Sequence, residues 1–194
     1  MRRFTLFITI MIVTLLVSAC RSSEQIKPIK EETIDFDMNT AIRMIEKKEQ
    51  MIIDIASKDK VSNMEYQELE KSFAQEFGDH AKDILSILFI HNMDADPEAD
   101  KDVQQNMLYP TVFHKGVTIT SAVVYKSYFE NEFFNQTKLT IKEQYDGEDA
   151  KLKGWEREYL FTPNTDGEWE LTGFSGEMNF SGDDYHLNYL ELKK

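Results

Sequence analysis

The hydrophobic period of this chain changes once, and that change limits the fold more than any other feature. Between residues 39 and 91 apolar side chains recur every three or four positions, and beyond residue 107 they alternate. A helical period followed by a period of two predicts helices segregated from an antiparallel sheet, an α+β domain. From Asn39, a suitable N-cap, Ala41, Met44, Ile45, Met51, Ile52 and Ile55 form one stripe, and Arg43, Glu46, Lys47 and Glu49 are read as lying off it. Ser62-Asn63-Met64-Glu65 has capping-box spacing, with Val61 and Tyr66 placed as a hydrophobic staple, so a second helix should start there and stop at Gly78. Asp79 can cap a third helix from His80 to about His91, apolar nearly all round and hence the most buried. These three N-terminal helices are expected to pack on a curved antiparallel meander.

Strands are expected near 107–113, 117–129, 133–145, 155–162, 168–175 and 185–192. The breaks between them, such as His114-Lys115-Gly116 and Asn164-Thr165-Asp166-Gly167, are short and turn-rich, which favours antiparallel neighbours. The expected organisation is a signal peptide over residues 1–19, a lipidated tether over 20–38 and a single domain over 39–194.

The first twenty residues carry an address. Met1-Arg2-Arg3 is a short basic start, residues 4–17 are an apolar or hydroxylic run, and Ser18-Ala19-Cys20 closes it, the layout of a secretory signal peptide. As a helix, residues 4–19 would span roughly 24 Å, short of the roughly 30 Å of a bilayer core. Leu16-Val17-Ser18-Ala19-Cys20 resembles the bacterial lipobox, in which small residues precede a cysteine that is acylated and becomes the new N-terminus. That resemblance implies a lipoprotein with Cys20 as the lipidation site, held on the outer side of the cell membrane by its acyl chains. Cys20 is the only cysteine, so no disulfide can form within the chain. A net charge of -13 excludes a nucleic-acid partner and adsorption to a bare anionic surface.

Three helices followed by long strands and a late Gly167-Glu168-Trp169-Glu170-Leu171 strand resemble nuclear transport factor 2-like and cystatin-like domains, a resemblance over roughly residues 40–192 that implies a fold and no catalytic residue.

Catalytic and metal motifs fail on spacing. His80, His91, His114 and His186 form no close pair or HExxH, and the Asp94 to Asp100 stretch has Ala99 and Gln105 where an EF-hand needs glycine and glutamate. No catalytic residue, metal or cofactor is therefore assigned. Glu156 and Glu158 share a strand face and leave an envelope enzyme as the alternative, with a structural spacer as another. Binding is the favoured role, for an envelope protein or a small ligand. On the 155–162 strand Trp155, Arg157, Tyr159 and Phe161 share one face, so a cation sits within a row of rings. That row is either partly open, making Trp155, Arg157, Tyr159 and the neighbouring Trp169 a ligand-binding surface, or closed by a salt bridge from Glu143 or Glu170.

Overall fold

The computed structural model describes residues 27–90, 99–104, 110–149, 152–177 and 191–193. The first described element is a strand, β1 (Lys30–Asp35), followed by α1 (Met38–Ala56). After the short strand β2 (Lys60–Val61) comes α2, which joins Asn63–Phe77, a 3-10 turn at Gly78–His80 and Ala81–Leu88. Among the described residues four long strands follow a second short one, β3 (Lys101–Asp102): β4 (Val117–Tyr128), β5 (Gln136–Tyr145), β6 (Glu156–Pro163) and β7 (Trp169–Glu177). The main sheet has the order β1-β4-β5-β6-β7, antiparallel throughout, and β2 pairs with β3 beside it.

The α+β class stands, but three N-terminal helices packed on a meander do not describe this molecule. A strand precedes the helices, drawn from residues expected to be tether, and it caps the edge of the sheet beside β4. The expected second and third helices are one 26-residue segment. Gly78, read as a stop, sits at φ +55 and donates its N–H to Ala74 O; the chain leaves helical dihedrals at this residue and resumes through the 3-10 turn. Only glycine takes that backbone conformation at low cost. The 107–113 and 185–192 strands fall partly outside the described residues; of what is described, 110–113 forms a turn and Leu192 makes one bridge to His114.

Of the three caps expected from sequence, Asn39, Ser62 and Asp79, only Ser62 serves as one; Asp79 lies within the 3-10 turn, and no side chain caps Ala81–Leu88. Ser62 accepts from Glu65 N at the start of α2, whereas α1 is capped by Asp37 accepting from Thr40 N rather than by Asn39. The helices lie on one face of the sheet. Ala41, Ile45, Ile52 and Ile55 of α1 and Phe73, Phe77, Ile84, Leu85 and Leu88 of α2 pack against Ala122, Val124, Leu139, Ile141, Tyr159 and Phe161. Strand alternation sends Tyr125, Lys138, Lys142 and Glu158 to the other, polar face.

Candidate functional site

The inner face of β5 and β6 is apolar except where Glu143 lies opposite Arg157 in the strand register. Into that polar gap α1 sends Glu49, one turn from both Ile45 and Ile52, so that the carboxylate is fully buried. Arg157 Nη1 donates to Glu49 Oε1 at 2.9 Å and to the Pro110 carbonyl at 2.8 Å, and it lies 3.5 Å from Glu143 Oε2. Tyr159 donates its hydroxyl to the same Glu49 oxygen at 2.5 Å, and Val112 N donates to the other at 2.7 Å. The guanidinium lies between rings, 4.8 Å from the Trp155 centroid and 5.9 Å from that of Tyr159. Arg157 is 5% exposed.

Two carboxyls and one cation out of water balance only if one proton is shared. Burial, and then the charge of Glu49 beside it, hold Glu143 well above the usual carboxylate range. Burial raises Glu49 too, opposed by Arg157, the Tyr159 hydroxyl and the Val112 amide, all of which favour its ionised form. The donors converge on Glu49, which favours its ionised form, while Glu143 lacks them and is held the further above the usual range. His114 extends the cluster: its Nδ1 accepts from Thr111 N at 3.0 Å, and burial pushes the imidazole down to about 4.

Of the two arrangements open to the Trp155, Arg157, Tyr159 row, the structure takes the closed one, with Glu143 as one partner. Glu49 is the other, and Glu170 instead accepts from the Asn164 side chain at 3.2 Å. Trp155 and Tyr159 are buried with Arg157. Trp169 is separate from them, packed edge-on to Phe36 with ring centroids 6.0 Å apart.

Trp169 also lines a surface cleft of about 500 Å³ between α1, α2 and the β6–β7 hairpin, together with Lys47, Lys48, Glu76, Glu168 and Glu170. Lys47 and Lys48 both pair with Glu76. Burial opposes the charge on Glu76, but these two ammonium groups hold it below the usual range. Burial lowers Lys48, whose ammonium lies 5.6 Å from the Phe77 ring centroid and 5.8 Å from that of Phe161. Asn164 shapes the hairpin wall, its side-chain oxygen accepting from Asp166 N and Glu168 N.

The remaining candidates are scattered. Glu158 pairs with Lys142 and Glu156 accepts from Gln144, both at the edge of a shallow hollow above Arg157. Cys20, His91, His186 and most of the Asp94 to Asp100 stretch lie outside the described residues. Among the described residues no group of histidine, cysteine and acidic side chains could hold a metal ion. Glu49 was the residue missed. Its signal was present, since positions 41, 45, 48, 49, 52 and 55 keep helical spacing and Lys48 and Glu49 fill the gap in the apolar stripe. Compared with protein-family models, with curated proteins and with solved structures, the chain matches none.

Proposed function

We propose that this chain is an exported lipoprotein of the bacterial envelope, anchored through acyl chains on Cys20 at the outer side of the cell membrane, and that its domain binds a partner without transforming it. The observation that carries the reading is the ordered run of basic start, apolar stretch, small residues and Cys20. Two or more acyl chains, at about 0.8 kcal/mol per buried CH₂, hold such a domain without help from its surface. No helix among the described residues is long and apolar enough to cross a membrane.

The binding role is supported by the separation of the polar groups. The charged cluster around Arg157 is sealed and internally neutralised, which suits a structural keystone. The Trp169 cleft is open, and it offers one ring among lysine ammonium groups and glutamate carboxylates. Such a lining suits a polar ligand or a segment of an envelope protein.

The test is phase partitioning of the expressed protein. Cys20→Ser should leave an uncleaved precursor or move the protein from the detergent phase to the soluble exported fraction. Normal processing and unchanged partitioning of the variant would show that Cys20 is not the anchor. For the cleft, Trp169→Ala should abolish saturable association with envelope material. If binding persists, the cleft is not the binding site.

A further inference from the structure

The turn between β4 and β5 carries two phenylalanines that the fold does not need. Phe133 is 88% exposed and Phe134 46% exposed, and their rings meet edge to face with centroids 6.0 Å apart. Ile29, 67% exposed, stands beside them, and with Lys27, Phe129 and Phe134 it lines a mostly apolar hollow of about 450 Å³. Large apolar side chains grouped at a loop tip mark a surface that is covered in use.

The tip is rigidly built. Asn131 accepts from Phe133 N at 3.1 Å through its side chain and from Phe134 N at 3.0 Å through its carbonyl. Asn135 accepts from Phe129 N at 2.9 Å through its side chain and donates its own N–H to Glu132 O. These main-chain donors are satisfied within the turn, so the tip could enter a less polar medium without stranding them.

The path of the chain indicates the medium. Ile29 N donates to Tyr128 O at 2.8 Å, which pins the start of the folded domain to the end of β4 where the two rings begin. Lys27, in the wall of the hollow, is seven residues after Cys20, and seven residues reach at most about 25 Å when fully extended. A domain held by lipid on Cys20 would therefore keep this end within reach of the bilayer. Tethering turns docking into an intramolecular event, so a small apolar contact suffices.

We propose that the β4–β5 tip, with Phe133, Phe134 and Ile29, docks into the interface of the bilayer that carries the chain. This rests on attachment at Cys20 as argued above. Glu130 and Glu132 flank the rings and would stay among the headgroups, so the contact is apolar rather than electrostatic, in keeping with the acidic chain.

The experiment mounts the chain from residue 20 onward, which contains every described residue, on phosphatidylcholine vesicles. Coupling its single thiol to a maleimide-bearing lipid supplies the attachment whether or not cells acylate Cys20. Phe133→Trp adds an indole at the tip, at an exposed site where the fold tolerates it. The expected result is a blue shift of the added emission and its quenching by brominated acyl chains. Glu148→Trp, at the opposite end of the sheet, should show neither. Removing one ring, as Phe134→Ser in the Phe133→Trp chain, should shift the docked-to-undocked ratio roughly tenfold. Equal emission from the tip in plain and brominated vesicles overturns the proposal. So does equal quenching at both ends, or a blue shift without vesicles, which would mean that a second copy covers the tip. Loss of anchoring in cells with quenching retained on coupled vesicles would instead refute only the acylation of Cys20.

Discussion

Replacing Arg157 with methionine tests the charge balance of the buried cluster, because methionine keeps the apolar stem and removes the cation. Glu49 would retain the Tyr159 hydroxyl and the Val112 amide but lose its countercharge at 2.9 Å. Stranding a buried charge in this way costs about 3–5 kcal/mol. The carboxyl has an escape, which is to take up a proton. From an ordinary carboxylate value near 4.5, protonation costs about 1.4 kcal/mol at pH 5.5 and close to 5 kcal/mol at pH 8, at about 1.36 kcal/mol per pH unit. The variant should therefore lose about 3–5 kcal/mol at pH 8 and only about 1–2 kcal/mol at pH 5.5, a pH-dependent difference of roughly 3 kcal/mol.

Urea unfolding of parent and variant at the two pH values, followed by far-ultraviolet circular dichroism, measures both losses. For a domain of this size the pH 8 loss corresponds to a fall in Tm of roughly 10 °C. Adding Glu49→Gln to the variant should restore most of it, since the amide needs no countercharge. Equal losses at the two pH values would refute the shared-proton account. A loss below about 1 kcal/mol at pH 8 would refute the whole view of Arg157 as the closure of the cluster.

Three further outcomes follow from particular groups. The His114 imidazole titrates near 4 in the folded chain against 6.5 unfolded, so the unfolded state binds more protons between those values. Its contribution is complete above pH 6.5 and up to about 3 kcal/mol is lost as pH falls toward 4, and His114→Asn should flatten that part of the stability curve. For Glu143 the sign reverses. Its folded value is raised, so its contribution is full below about 4.5 and is lost as pH rises from there through the folded value; Glu143→Gln should flatten that decline in unfolding curves taken upward from pH 4.5. Gly78→Ala forces a side chain into the φ +55 conformation with the Leu171 carbonyl 3.5 Å away, and it should cost about 1 kcal/mol in thermal unfolding while leaving helix content unchanged.

The period change was enough to assign the class, because burial of one helix stripe against one sheet face leaves its mark residue by residue. It was not enough for the joints. Gly78 followed by Asp79 carries the local signature of a helix end and a new cap, yet after the φ +55 glycine the helix resumes through the 3-10 turn, since Phe77 and Ala81 on either side share the same core. β1 was invisible for a different reason. An edge strand whose only apolar residue is Ile34 has little alternation to read, and its Lys and Glu side chains suit an edge that faces solvent.

Glu49 and Arg157 show where pattern reading stops and physics continues. A charged residue on an apolar helix face looks like an interruption, and an arginine between rings looks like a binding group. Each reading changes once the two are on facing elements. Helical spacing puts Glu49 on the inward stripe, and strand spacing puts Arg157 on the inward row with Trp155 and Tyr159. Neither charge can be buried alone at an acceptable cost, so the one element of either sign predicts the other. What spacing leaves undetermined is the third member. Glu143 lies opposite Arg157 only because the β5–β6 register puts it there, and that register is set by Leu139 and Ile141 facing Phe161 and Tyr159. A slip of one residue would turn Glu143 to water and leave Arg157 with Glu49 alone. The cluster therefore rewards a single register, and its neutral, proton-sharing state is the form in which helix and sheet can close together.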